Sequence, residues 1–277
     1  IIRVIGKKGD NNAEMESIVL EKGFETSFPA LVEKEAEDIG KFEKVITAEE
    51  ISKRRDMRDT LTFTIDPFDA KDFDDAISFK ELPKEKGQER YEIGVHIADV
   101  SHYVREGTAL DKEAVKRGCS IYLVDRTIPM LPEVLSNDVC SLNPHEDKLS
   151  FSAIFVINEK AEVLERWFGK TVMNSNHRFT YETAQESLDS KNGEYFKELD
   201  ILNKIAKILQ KEKFSKGAIE FEQEEIKFKL DENGKPIGVY KKERLDTHKL
   251  VEEYMLLANR EVAKFIYDAI KKKGKKD

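Results

Sequence analysis

Five aspartates, Asp66, Asp69, Asp72, Asp74 and Asp75, fall within ten residues at the end of an apolar stretch, in TLTFTIDPFDAKDFDDAISF (residues 60–79). Like charges this close repel, and each carboxylate resists losing its water. A fully solvated loop tolerates such a cluster, and so does a loop with something strongly positive among its acids. Phe68, Phe73, Ala76 and Ile77 alternate with the acids and would anchor the loop against a core, which favours the second arrangement. A calcium loop of the EF-hand kind needs Gly at its sixth position and Glu at its twelfth. Counted from Asp72, those positions hold Ile77 and Pro83, so that pattern fails. Oxygen-only ligands select a hard cation such as Mg²⁺.

The elements around the acids must position them. Leu61, Phe63 and Ile65 alternate with threonines, the period of a strand, and Asp66-Pro67 ends it. AISF (76–79) predicts a second strand, and YEIGVHIADVSHYV (91–104) a third that pairs with them. Thr108 with Asp111 predicts a capped helix ended by Gly118. LSFSAIFVI and EVLERWFGKTVM form a hairpin about NEKA, and IKFKL and PIGVY another with Asn233-Gly234 at its turn. A charged helix spans about 194–215, and residues 244–270 read as one helix whose apolar face is broad enough to be largely buried. The fold class is α+β, with helices and strands mixed along the chain.

Composition bounds the rest. The 277 residues suffice for one large domain or two medium ones, and the first residue, Ile rather than Met, suggests an excised piece of a longer protein. Charged residues make up 37% of the chain and the net charge is −8, which argues against an indiscriminate basic nucleic-acid patch. No apolar run reaches the length of a membrane span, and no signal-peptide pattern is present. Cys119 and Cys140 are too few and too far apart for a disulfide framework or a metal pattern; both read as small buried residues in a reducing, cytoplasmic setting. His96, His102, His177 and His248 show no spacing that suggests zinc, and read as structural. Trp167 reads as a strand residue packed on the core. Arg126 and Arg178 could contact phosphates, but nothing in the sequence singles them out.

The spacing Asp66-x5-Asp72-x-Asp74-Asp75-Ala76 resembles the signature of the ribonuclease II and ribonuclease R family, 3′-to-5′ exoribonucleases of single-stranded RNA. GVHIADVSHYV, SIYLVDRTIPMLPEVLSNDVCSLNP (120–144), GAIEFEQEE (217–225) and HKLVEEYMLLAN (248–259) follow in the family's order and spacing, nearest to the bacterial ribonuclease R branch. The resemblance implies a catalytic domain over 61–277, incomplete at its C-terminus, a charged helical connector over 26–60, and in 1–25 the last strands of a cold-shock RNA-binding barrel. It further implies that Asp66, Asp72, Asp74 and Asp75 hold two Mg²⁺ ions, with Asp69 outside the pattern. Tyr122 and Phe221 would stack on bases, and Glu252 would bond a nucleotide sugar or phosphate.

The expected function is therefore hydrolysis of single-stranded RNA from its 3′ end to nucleoside 5′-monophosphates, with no obligate protein partner evident. Two alternatives stay open: a non-catalytic RNA-binding member of the same fold, and a metal-dependent phosphohydrolase of small nucleotides. An arginine-bearing segment that the family carries downstream of the long helix is not in this chain, so the piece by itself is expected to be nearly inert.

Overall fold

The structure, a computed structural model, describes residues 3–219, 225–232 and 236–273. The chain opens with helices α1 (Asn11–Glu21), α2 (Ala30–Phe42) and α3 (Ala48–Ser52). Strands β1 (Arg55–Asp56), β2 (Thr62–Asp66), β3 (Asp75–Glu85) and β4 (Gln88–Ala98) follow. Next come α4 (Val100–Tyr103), α5 (Ala109–Arg117), β5 (Ile121–Tyr122), β6 (Thr127–Ile128) and a π-helical turn over Val134–Val139. Then come β7 (Asp147–Asn158), β8 (Val163–Asn174), β9 (His177–Thr180), α6 (Tyr181–Ser190) and α7 (Phe196–Ser215). The chain continues through β10 (Ile226–Leu230) and β11 (Pro236–Lys241) to α8 (Asp246–Lys273).

These elements sort into two compact units. The larger gathers Ile46–Asp99, Cys140–Phe221 and Arg244–Asp277 around a seven-stranded sheet of order β1-β8-β7-β4-β3-β2-β9. Its inner pairs are antiparallel, while β1 runs parallel to β8 and β9 parallel to β2. One face carries Phe63, Ile65, Ile77, Phe79, Ile93, Val95, Phe155 and Ile157 and packs against α6, α7 and α8 through Ala184, Leu199, Leu202, Ile205, Leu250, Tyr254 and Leu257. Each of the Val, Leu, Ile and Phe side chains among them contributes roughly 1.5–3 kcal/mol by burial. Tyr254, fully buried, donates its hydroxyl to the Leu202 carbonyl at 3.1 Å, so no polar atom is stranded there.

The residues that alternate with this core are polar yet equally buried: Thr62, Thr64, Ser78, His96, Ser150, Ser152 and Thr171. The strand alternation read from residue type therefore separates an apolar from a polar interior, and all five residues of β2 are buried. Gly94 serves this polar layer. A Cβ there would fall 2.4 Å from Ser78 Oγ and 2.6 Å from His96 Nε2, so only glycine lets that pair meet.

The smaller unit gathers Ile1–Val45, Val100–Val139 and Glu222–Glu243. In it α2 buries Val32, Ala36 and Ile39, and α5 buries Leu110 and Ala114. Thr108 caps α5 by accepting from the Asp111 amide, and Gly118 ends it in the left-handed region at φ 73°. The partner carboxylate of the expected capping box bonds instead to the Gly107 amide, one residue earlier.

Four expectations need correction. MESIVL lies in α1, not in a strand, and residues 3–25 contain no strand, so the expected barrel ending is not what this segment forms. Its Asp10 N-cap, which accepts from the Ala13 amide, was the sequence signal for a helix start. The run from 91 is strand only to Ala98, since Val100–Tyr103 turn into α4. Cys119 is exposed, whereas Cys140 is buried as expected. The last helix buries one face from Leu250 to Glu261 but leaves Phe265, Ile266, Tyr267 and Ile270 more than half exposed, at 53%, 51%, 61% and 65%. The hairpin of β10 and β11 forms as an antiparallel pair, with Asn233-Gly234 outside the described residues.

Candidate functional site

The acids stand where β2 leaves the sheet and β3 enters it. Asp66 is the last residue of β2, Asp75 the first of β3, and Asp72 and Asp74 lie on the loop between them. Local bonds fix that loop at both ends. The Phe73 amide donates to Ser141 Oγ at 2.9 Å, the Leu142 amide donates to the Phe73 carbonyl at 2.8 Å, and the Ala98 amide donates to the Asp74 carbonyl at 2.9 Å. At the other end, Arg178 Nη2 lies 2.9 Å from the Pro67 carbonyl, 2.8 Å from that of Phe68 and 3.4 Å from that of Ala70. Its guanidinium also lies over the Phe73 ring, 4.9 Å from the centroid. Phe73 is buried, as the sequence suggested, but Phe68 is 82% exposed and anchors nothing.

Burial dominates the electrostatics. Asp66 is 8% exposed, and its Oδ2 is buried without a hydrogen-bond partner. Desolvation pushes its carboxyl up to about 7; the nearby Thr64 hydroxyl and the Arg178 charge oppose the rise, while the charges of Asp75 and Asp72 add to it. Asp75 is pushed up to about 6 by burial and then by Asp74. Asp74 keeps an exposed edge, yet the protein around it and the Asp72 charge still raise its carboxyl. Tyr181, the first residue of α6, is raised to about 12 by burial and then by Asp75 and Asp66, and its ring stacks on His248 at 3.8 Å.

These are the conditions under which a cation would be held: hard oxygen donors, partly stripped of water, one with an unmet buried oxygen. The donor chemistry fits a hard divalent ion. The side chains are not, however, drawn into a closed cage, because among the described residues no three or more His, Cys, Asp or Glu stand close enough to hold a metal.

The other predicted residues are dispersed. Tyr122 lies on β5 in the smaller unit, paired opposite Thr127, with 70% of its surface exposed, which is not the environment of a core tyrosine. Phe221 lies outside the described residues. Glu252, on α8, is engaged by Lys213 Nζ at 3.3 Å and by Arg244, while its neighbour Glu253 is buried against the same lysine. His96 is buried and structural, bonded to two serines. Trp167 is half-buried, with the Arg55 guanidinium 5.1 Å from its ring. A cleft of about 500 Å³ in the smaller unit is lined by Leu31, Ile39, Phe42, Tyr103 and Arg105, with none of the predicted residues.

The sequence reading missed two residues near the acids. Nothing in the sequence singles out Arg178, and Tyr181 carries no local signal of a role. Both lie in HRFTYE, where only the parallel pairing of β9 with β2 brings them beside Asp66.

Comparison with known proteins identifies relatives over nearly the whole chain. Ribonuclease R of Thermotoga maritima is 40% identical over 277 residues, covering 97% of this chain and 38% of that protein. DIS3-like exonuclease 2 of Xenopus tropicalis is 39% identical, covering 96% and 34%, and the human exosome complex exonuclease RRP44 is 39% identical, covering 96% and 28%. The chain thus spans about a third of the length of these relatives. Among solved structures, Mycoplasma genitalium RNase R in complex with ribose-methylated single-stranded RNA superposes with a TM-score of 0.87 at 26% identity, over 96% of this chain and 41% of that one. Yeast Ssd1, a pseudonuclease, shares the fold at a TM-score of 0.71 and 19% identity, over 96% of this chain and 33% of that one. The RNB domain model matches residues 54–274, which include the whole acidic loop and Arg178, and the chain belongs to the RNB-domain family of ribonucleases.

Proposed function

We propose that the full-length protein is a Mg²⁺-dependent exoribonuclease that hydrolyses single-stranded RNA from its 3′ end to nucleoside 5′-monophosphates, in the cytoplasm. The observation that carries the reading is Asp66. In a member of this family, a carboxylate at the end of a core strand keeps a buried, unmet oxygen beside three further aspartates. Such a group is costly unless a cation joins it.

Asp66, Asp72, Asp74 and Asp75 would hold the ions. Bound divalent cations would supply an activated water and neutralise charge on the attacking and leaving oxygens of the phosphodiester. Asp74 keeps an exposed edge, and one of the four carboxylates would help to take up a proton when water attacks. Tyr122 and Phe221 would stack on bases whatever their identity, which suits an enzyme without sequence preference. Glu252, already engaged by Lys213 and Arg244, would reach a nucleotide only by loosening one of those contacts.

The rival readings differ in outcome. The pseudonuclease Ssd1 shares this fold, so fold alone does not decide activity; a non-catalytic RNA binder would be expected to have lost the acids, and this chain keeps all four. The deciding experiment incubates the full-length protein with 5′-labelled single-stranded RNA, with Mg²⁺ and with a chelator. The expected result is Mg²⁺-dependent shortening from the 3′ end with release of 5′-monophosphates. Binding without shortening would make it an RNA-binding protein, and turnover of mononucleotides alone would make it a phosphohydrolase.

A further inference from the structure

We infer that Arg178 is the positioning residue of the acidic loop, setting where Asp72 and Asp74 stand relative to Asp66; the inference rests on the proposed role of those acids. The chain leaves the sheet at Asp66 and must return at Asp75. The outward half of this excursion has little of its own to hold it. Phe68 and Asp69 are exposed, and a turn bond within it runs from the Ala70 amide to the Pro67 carbonyl at 3.1 Å. Three acidic side chains on such a segment would push it outward into water.

Arg178 supplies what the loop lacks. Parallel pairing sets it opposite Thr64 on β2, two residues before Asp66, so its backbone belongs to the rigid sheet. From there Nη2 reaches three carbonyls, at 2.8, 2.9 and 3.4 Å. The two shorter contacts account for the two hydrogens on that nitrogen, and the third is a weaker shared contact. The same guanidinium covers the Phe73 ring, and Phe73 is the residue held from the far side by Ser141 and Leu142. One side chain thus touches both halves of the loop and ties them to the strand that ends in Asp66. Those contacts commit Nη2 to backbone oxygens, so this nitrogen is not offered to an RNA phosphate.

Lysine is a poor substitute. A single ammonium can meet carbonyls but has no flat face to lay on Phe73 and no rigid fork. The first measurement is hydrogen exchange on the 277-residue chain without metal, for wild type, Arg178→Gln and Arg178→Lys. Amides of residues 68–75 should exchange about tenfold faster in the Gln variant and by an intermediate factor in the Lys variant, with β7 and β4 as protected as before. The second is steady-state kinetics of the full-length protein. Arg178→Gln should lower kcat by on the order of 10²-fold, as a displaced group does, leave KM for RNA within about twofold, and raise the Mg²⁺ concentration needed for half-maximal rate.

Unchanged loop exchange in the Gln variant overturns the inference, as does a raised KM with kcat intact, which would make Arg178 an RNA contact. If the Gln variant loses core protection, the Lys variant decides: a loop as protected as wild type with a fallen kcat refutes positioning. Asp75→Asn is run beside them. Full turnover in that variant would sink the proposed role of the acids, whereas an inactive Asp75→Asn with a wild-type Arg178→Gln sinks only this inference.

Discussion

His96 and Ser152 are register partners on neighbouring strands, and His96 Nδ1 lies 2.7 Å from Ser152 Oγ while Nε2 lies 2.8 Å from Ser78 Oγ on the other side. The imidazole bridges three strands inside the sheet's polar layer. A neutral ring has one donor and one acceptor, and two hydroxyls satisfy both.

That burial has a consequence for pH. Desolvation, with the Arg55 charge second, holds His96 down at about 4, against 6.5 in the open chain. Between those values the unfolded chain binds the extra proton, so stability rises with pH through this window and is lost as pH falls through it. The full difference corresponds to about 3 kcal/mol. His96→Gln should therefore be less stable than wild type at pH 7, with the gap shrinking or reversing near pH 4.5. Urea denaturation of both chains at the two pH values checks this; a gap that does not change with pH would mean His96 is not buried neutral. Taking the difference between chains cancels the opposite slope from Asp66 and Asp75, whose raised carboxyls bind protons in the fold above 3.8.

A buried ion pair sits beside this layer. Arg54 and Asp99 are almost fully inaccessible and 2.8 Å apart, with Lys170 3.1 Å from the same carboxylate and Glu50 2.7 Å from the arginine. Asp99→Asn should cost ~3–5 kcal/mol by leaving the guanidinium under-compensated. The double variant Arg54→Met/Asp99→Leu should lose less, because no uncompensated charge remains. Equilibrium unfolding of the three variants gives the ordering, and a double variant worse than the single one would contradict it.

The strands and long helices were legible because their periodicity is strong: β2, β3, the β7–β8 hairpin, α7 and α8 fall where apolar spacing put them. The start of the chain was not, since MESIVL is apolar and β-branched enough to read as strand while Asp10 caps it as helix. Asp66 and its neighbours were legible through charge crowding, a local signal. Arg178 was not, because its importance lies in reaching three carbonyls more than a hundred positions earlier in the chain. A contact made through parallel strand pairing leaves no spacing in the sequence. Nor did the sequence show that the alternate face of the sheet is buried and polar, since Ser, Thr and His at period two read equally well as a solvated face.

Asp74→Asn and Asp75→Asn test the acids directly. Each keeps shape and removes charge, so in the full-length protein each should abolish cleavage while single-stranded RNA binding survives. Affinity comes mainly from stacking and backbone contacts elsewhere. Turnover above about a tenth of wild type, less than roughly 1.4 kcal/mol of lost transition-state stabilisation, would refute the ligand role. Binding measured by fluorescence anisotropy in the same samples separates loss of chemistry from loss of RNA.

Tyr122 tests the recognition of RNA without reference to the acids. Its ring is 70% exposed on a two-stranded ribbon where Ile121 pairs with Ile128 and Tyr122 with Thr127. An exposed aromatic is common on protein surfaces and needs no function. A ring offered on a short ribbon can nevertheless stack on any base, and one such contact is worth ~1–3 kcal/mol, or about 5- to 150-fold in affinity. Tyr122→Ala should weaken single-stranded RNA binding within that range and change the length of the shortest product, because the 3′ end would no longer be seated in one place. Tyr122→Phe keeps the π-face and should behave as wild type in both assays. The fold should be indifferent to either change, since the side chain buries little, so thermal stability should stay within about 1 kcal/mol of wild type. Unchanged affinity and an unchanged end product in Tyr122→Ala would leave the ring an ordinary surface residue. A loss in Tyr122→Phe equal to that in Tyr122→Ala would assign the effect to the hydroxyl rather than to stacking.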